Sequence, residues 1–158
     1  MTTRPKIKIQ DISELRKILN EKQEAATQVQ LCEYSLLLAK HILKVASYED
    51  LNNPILQLGF TTNESWQIGQ ARVYDIRQAG FQIHKLAKQC QHAPTQAALR
   101  VAGHAVGVAH MRQHAMVASD YAIRVMDLLY PNDYEEVLQK RKWQIDCLGR
   151  IVKESLKD

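Results

Sequence analysis

The chain has 158 residues, of which 46% are apolar and 24% are charged, a balance typical of a globular protein with its own core. Its six glycines and four prolines are too few for a long linker or a disordered tail. The formal charge of +4 is uneven, because residues 70–118 hold six basic side chains and one acidic one, which leaves the remainder at −1. A positive middle segment can attract an acidic partner, but no nucleic-acid-binding motif accompanies it, so we expect no nucleic-acid partner.

The N-terminal half of the sequence predicts several helices. Residues 1–10 show no helical periodicity and are expected to form an irregular arm. Asp11 and Glu14 have the spacing of a capping box, and apolar residues at helical spacing follow them. The apolar run from Val29 to Ala46 predicts a second, more buried helix. Ser47 is a candidate cap for one or two short helical pieces, which are broken at Asn53-Pro54.

The C-terminal half predicts longer helices. Thr62 or Asn63 is a candidate cap for one helix that reaches Cys90, with Gly80 as a possible bend. Pro94 suits the first turn of an Ala/Gly-rich helix, and a further helical segment runs on to residue 129. Asn132 or Asp133 is expected to cap the last helix, in which "KRK" at 140–142 is interpreted as solvated surface. The cap candidates here are Thr62, Asn63, Asn132 and Asp133.

Period-two alternation, the signature of half-buried strands, is essentially absent. We therefore predict an all-α fold: a single domain over residues 1–158, built as a bundle of six to eight helices with a central Ala/Gly-rich helix. The longest mostly apolar segment, residues 97–111, is shorter than the roughly 20 residues of a membrane span, so no membrane contact is expected. Three widely spaced cysteines and no secretory signal favour a cytoplasmic location without disulfides; they are Cys32, Cys90 and Cys147.

The stretch "AGHAVGVAHMRQHAM", residues 102–116, holds three histidines among small apolar residues. If it forms one continuous helix, a wheel at about 100° per residue places them on one face about 120° wide. The residues that share this face are Arg100, Gly103, His104, Gly107, His110, Met111 and His114. The two glycines would allow a neighbouring backbone to approach closely.

Three kinds of site are compatible with these histidines. His110 and His114 have the i, i+4 spacing of zinc ligands, which makes them weak metal candidates, with a third ligand from His84, Asp75 or Asp120. Acid–base catalysis with Arg100 holding an anion is a second possibility, although no nucleophile accompanies it. The third is packing or partner binding by half-buried imidazoles. We assign no metal, cofactor or catalytic residue.

The partner- or ligand-binding candidates are Arg100, His104, His110 and His114. The leading interpretation is a non-catalytic binding protein. The alternative is a helical enzyme that depends on these histidines to bind a metal or a ligand.

Four segments resemble blocks of a known family: "LAKHIL", "SWQIGQ", "AALRVAGHAVGVAHMRQHAMVASDYAIRVM" and "KRKWQIDCLGRI". Together they resemble the helical immunity-protein-five-like family of bacterial polymorphic toxin systems, over roughly residues 30 to 152. The matching positions are His41, Trp66, Gly69, Gly103, His104, Ala109, His110, His114, Tyr121, Trp143 and Gln144. Leu38 and Lys40 replace the family's usual Cys and Glu, and the segment before Trp66 differs from the family's Pro/Arg-rich one.

The resemblance implies an all-helical, non-catalytic protein that neutralises a cognate bacterial toxin by direct binding, and it leaves a homo-oligomer possible. Because inhibitors and their targets tend to carry complementary charge, a basic chain predicts a toxin whose contact surface is acidic or apolar.

Overall fold

The computed structural model describes residues 3–157, and within that range it contains seven α-helices and no β-strand. The helices are α1 Ser13–Ala25, α2 Gln28–Val45, α3 Pro54–Gln67, α4 Val73–Gln89, α5 Ala93–Gly107, α6 His114–Leu129 and α7 Tyr134–Ser155. The all-α prediction is confirmed, and the helix number lies within the predicted six to eight. Residues 3–10 run ahead of α1 without helix or strand; we call them the N-terminal arm.

Local signals set several helix starts where the sequence predicted them. Pro54 and Pro94 lie in the first turns of α3 and α5, where a backbone N–H would have no intrahelical partner. Asp133 caps α7, and its side chain accepts a hydrogen bond from the Glu136 N–H. A capping box that the sequence analysis did not propose begins α2, in which Thr27 and Gln30 exchange hydrogen bonds.

Other predicted starts are wrong. The Asp11–Glu14 capping box does not form, because the Asp11 carboxylate accepts from the Ile12 N–H and from an arginine of α7 instead. Ser47 caps no helix; it lies in a turn with φ of 58°. Thr62 and Asn63 sit inside α3 and cap nothing.

The single helix predicted between residues 62 and 90 is two helices. The chain leaves α3 after Gln67 and restarts at Val73, with Gly69 at φ of 76°, a conformation that L side chains rarely adopt. Gly80 lies within α4, and a Cβ atom added at this position would lie 3.5 Å from the Gly103 carbonyl oxygen. The close backbone approach predicted for Gly103 and Gly107 is not found there, because the imidazole rings of His84 and His114 lie against these two positions instead.

Helix α5 is the centre of the bundle, as the sequence predicted. It packs most extensively against α6, α4 and α2, and it also contacts α3. Between Ala97 and Val106 every side chain is buried except Arg100 and His104, which are half-buried. Small alanine side chains let neighbouring helices come close on several sides, and the main hydrophobic cluster draws buried residues from all seven helices.

A chain of buried ion pairs joins the N-terminus of the fold to its last two helices. Asp120 of α6 accepts from Arg16 of α1 and from Arg141 of α7, each at 2.8 Å. Arg141 also binds Asp11 at 2.7 Å, and its side chain is wholly buried. The interpretation of "KRK" as solvated surface is therefore wrong for Lys140 and Arg141, and right only for the exposed Lys142.

In residues 3–157 no helix combines the length and the apolarity that crossing a membrane requires. Cys32 and Cys147 are buried and Cys90 is half-buried, and all three are free thiols.

Candidate functional site

The histidine-rich stretch is not one helix. Helix α5 ends at Gly107, residues 108–113 form turns, and α6 begins at His114 and packs back along α5. We call residues 108–113 the α5–α6 turn. The shared helical face predicted for Arg100, His104, His110 and His114 is therefore wrong as a geometry, because the chain changes direction between the second and the fourth of them.

Two side chains fix the α5–α6 turn in place: one binds the backbone of the turn, and the other extends from the turn to the end of α1. Gln28 donates to the carbonyl oxygens of Val108 and Ala109 at 2.8 and 3.2 Å. Arg112 reaches the C-terminal end of α1 and donates to the carbonyl oxygens of Gln23 and Ala26 at 2.8 and 2.7 Å. A cation that binds the free carbonyls of a helix end stabilises that end, so this turn is a fixed connection.

The reversal still brings three of the predicted residues together, around a histidine of α4. The Nδ1 atoms of His104 and His114 lie 2.9 Å apart, within hydrogen-bond distance. Arg100 Nη1 donates to His84 Nδ1 at 2.9 Å, and the His84 ring meets the edge of the His104 ring at a centroid distance of 4.6 Å. Tyr121 of α6 stacks on His104 at 5.3 Å. We call these five side chains the histidine cluster.

Two glycines of α5 create the space for two of these rings. A Cβ at Gly103 would lie 2.6 to 2.9 Å from three atoms of the His84 ring, closer than real contacts allow. A Cβ at Gly107 would lie 3.1 Å from His114 Cδ2. The helix surface is therefore indented at both positions, and the imidazoles occupy the indentations.

The hydrogen bonds fix the proton position of His84 and restrict those of His104 and His114. Arginine can only donate, so His84 accepts through Nδ1 and carries its proton on Nε2. In the His104–His114 pair, one Nδ1 must donate and the other accept. Burial, with the nearby Arg100 cation, lowers the pKa of His84 to about 4. Burial and the neighbouring His84 lower the pKa of His104 to about 3, and burial also lowers that of His114.

Neutral imidazoles leave Arg100 as the principal charge of the cluster. It is half-buried, and among residues 3–157 no carboxylate forms an ion pair with it. A partly desolvated guanidinium without a counter-ion attracts an anion more strongly than an exposed one does. The cluster is therefore a hydrogen-bonded group of neutral imidazoles with one cation at its margin.

His110 stands apart from the cluster. It lies half-buried in the α5–α6 turn, and its ring centroid is 6.2 Å from that of His114. The helical i, i+4 geometry proposed for zinc is absent, because only His114 belongs to a helix. Neither predicted acidic ligand joins these histidines: Asp120 is bound by two arginines, and Asp75 by Arg72 at 2.9 Å.

Over the described part of the chain, no group of three or more His, Cys, Asp or Glu side chains is placed to hold a metal ion.

A second arrangement of polar side chains, between α2 and α7, was not singled out as a site. Lys140 Nζ lies 2.6 Å from His41 Nε2, and the His41 ring stacks on Trp143 at 4.3 Å with only 7° between the planes. Burial and the Lys140 cation lower the pKa of His41 to about 4. Helical spacing could have indicated that Lys140 is buried, because position 140 falls on the same buried face of α7 as Val137 and Gln144.

A family model described as "Imm-5 like putative immunity protein" matches residues 21–150. The matched segment contains the histidine cluster and the α5–α6 turn, and it leaves out the N-terminal arm. No curated protein and no solved structure matches the chain.

Proposed function

The chain belongs to the Imm-5 like putative immunity protein family, and we propose on that basis that it is a non-catalytic protein that binds and neutralises a bacterial toxin. The observation that carries the proposal is the extent of the family match, which spans 130 of the 158 residues and includes most of every helix except α1. The three free thiols are compatible with action in the cytoplasm, where thiols stay reduced.

We place the toxin contact at the α5–α6 turn and the adjacent margin of the histidine cluster. Met111 and Gln113 of the turn are exposed, with Met111 exposed to 48%. An exposed methionine is a favourable interface side chain, because it is apolar and adapts its shape to a partner. The turn is fixed by Gln28 and Arg112, so little conformational entropy is lost when a partner binds it.

The charge near this surface favours an acidic or apolar toxin face. His104 lies in the last turn of α5 and Arg100 lies one turn earlier. Lys6 of the N-terminal arm is close enough to His104 and His114 to affect their pKa values. Cations at the rim of an interface accelerate association with an acidic surface and disfavour basic ones. A measured complex with a strongly basic toxin domain would contradict this assignment.

The direct test is a growth assay. Genes that flank the one encoding this chain are expressed singly in a sensitive host, with and without the chain. Growth arrest by one flanking product that is relieved by co-expression, together with co-purification of the two proteins, is the expected result. The immunity proposal fails if no flanking product is toxic, or if a toxic one is not relieved.

Met111→Glu tests the position of the contact. A buried carboxylate facing an acidic or apolar partner is expected to weaken toxin binding at least about tenfold, because desolvation and like-charge repulsion both oppose it. Binding is measured by calorimetry with the purified toxin. Leu58→Glu is the matched control, since Leu58 is an exposed apolar side chain of α3, at 62%, away from the turn. Equal effects of the two substitutions would place the contact elsewhere.

A further inference from the structure

A surface cavity of about 360 Å³ adjoins the histidine cluster on the side away from the α5–α6 turn. It lies between the N-terminal arm, the first half of α5 and the second half of α6. Arg100 and Tyr121 belong both to the cluster and to the wall of this cavity. The volume is within the range of roughly 300 to 1,000 Å³ that is usual for sites that hold small molecules.

The charges of the cavity wall all have one sign. Lys8, Arg100 and Arg124 line it, and none of the described lining residues is acidic. Arg100 and Arg124 are half-buried, so their charges are screened less than those of fully exposed side chains. Arg124 also donates to the Lys8 carbonyl oxygen at 3.2 Å, which connects the arm to α6 at the cavity mouth.

A second, larger cavity differs on this point. It is about 470 Å³ and lies beside α1, but Asp120 and Glu24 are among its lining residues. Its most buried cation, Arg16, is already bound to Asp120 at 2.8 Å. Acidic side chains therefore face the cations of that cavity, whereas none of the described lining residues of the smaller cavity is acidic.

The remaining wall is apolar and neutral. Ile7, Ala93, Ala97 and Leu128 contribute apolar surface, and Gln96 contributes an amide. The Gln96 amide N–H₂ is directed to the carbonyl oxygens of Ala87 and Cys90 at 3.2 Å, which fixes this side chain in place. Apolar walls with a few converging cations suit a molecule that has both an apolar body and an anionic group.

We propose that this cavity, lined by Lys8, Arg100 and Arg124, binds a small organic anion with a phosphate or carboxylate group and an apolar body. The guanidinium forks of Arg100 and Arg124 match either anionic group through paired hydrogen bonds. Ile7 and Lys8 lie outside the family match at residues 21–150, so family membership does not account for this wall. The cavity shares Arg100 with the surface proposed for toxin binding, but its test uses no toxin, so the two proposals can fail separately.

The test uses the full chain and four probes at low salt: phenyl phosphate, benzoate, inorganic phosphate and benzyl alcohol. Calorimetry is expected to show saturable one-to-one binding of phenyl phosphate or benzoate, and the tighter of the two identifies the anionic group. Inorganic phosphate should bind more weakly than phenyl phosphate because it lacks the apolar body. Benzyl alcohol should not bind measurably, and binding as tight as that of the anions would overturn the proposal.

Charge-removing variants locate the site. Arg100→Gln is expected to weaken binding of the tighter probe about tenfold through loss of a charge-assisted hydrogen bond. Glutamine keeps a polar amide at this half-buried position, and the thermal unfolding midpoint reports any effect on folding. Lys8→Gln is expected to weaken binding about threefold, because Lys8 is exposed and its charge is screened. The Lys8 carbonyl that Arg124 binds is unchanged in this variant.

Arg77→Gln is the matched control, since Arg77 is an exposed residue of α4 that does not line the cavity. It should leave the dissociation constant unchanged, and the thermal unfolding midpoints of all three variants should stay close to that of the natural chain. Absence of saturable binding by both aromatic anions overturns the proposal. Equal weakening by Arg77→Gln and Arg100→Gln also overturns it, because that result would reflect net charge alone.

Discussion

Gly103 has a specific steric role in the histidine cluster. The His84 ring occupies the position that a Cβ of residue 103 would need, with three ring atoms within 2.9 Å of it. The ring is also held by its hydrogen bond from Arg100, so it cannot move away freely. A mid-helix glycine usually lowers stability relative to alanine, and here the ring contact accounts for its presence.

Gly103→Ala is expected to lower the free energy of unfolding by about 1–3 kcal/mol, the usual cost of an added methyl in a packed site. Gly149→Ala on α7 is the control, because nothing lies within 4 Å of its Cβ position. That change should raise stability by about 0.5–1 kcal/mol. Denaturant titration measures both. If Gly103→Ala is as favourable as Gly149→Ala, the ring is not confined as described.

The presence of most helices was predictable from the sequence, but the way in which they connect and pack was not. Periodicity and end signals such as Pro94 and Asp133 are local, and they set the starts of α3, α5 and α7. The separation of His104 from His114 is ten residues, or about 2.8 helical turns, so a continuous helix and a hairpin both place them on related sides. The pattern alone could not distinguish these two cases.

The composition of α7 was misleading for a different reason. Arg141 lies on the same buried stripe as Val137 and Leu148, and periodicity alone indicates burial there. The basic run "KRK" indicated solvent exposure instead, because a buried arginine is stable only when acidic or hydrogen-bonding partners surround it. Those partners, Asp11 and Asp120, are 130 and 21 residues away in the sequence, and only the tertiary fold brings them to Arg141.

Asp120→Asn tests whether this network joins α1, α6 and α7. The variant leaves Arg16 and Arg141 facing each other without the central negative charge, and loss of one member of a buried ion pair costs about 3–5 kcal/mol. Chemical denaturation measures the loss. The exposed pair of Arg72 and Asp75 supplies the control, and Asp75→Asn should change stability little. Comparable losses in the two variants would show that burial of the network is not the cause.

The whole molecule holds several histidines in the neutral state. Burial lowers the pKa of His41 and His84 to about 4 and that of His104 to about 3. In the unfolded chain these side chains have pKa values near 6.5. Below that pH the unfolded state binds protons that the folded state does not, so stability falls as the pH falls.

The free energy of unfolding is therefore expected to be greatest above pH 6.5 and to fall between pH 6.5 and 5. The limiting slope is about 1.4 kcal/mol per pH unit for each histidine, and less where a ring remains partly solvated. The double variant His84→Gln/His104→Gln should flatten this slope while it leaves the contribution of the carboxylates in place. The measurement is chemical unfolding of the natural chain and of the double variant at pH 7, 6 and 5. Equal pH dependence of their free energies of unfolding would contradict the prediction.

The ion pair between Asp11 and Arg141 joins two residues that the ribosome produces far apart in time. With 130 residues between them, and synthesis at about 5–20 residues per second, Arg141 emerges on the order of 10 s after Asp11. Until then Asp11 lacks its buried arginine partner. A nascent chain that stops before α7 can still connect the N-terminal arm to α6 through Arg124 and the Lys8 carbonyl oxygen, but it cannot complete the chain of buried ion pairs.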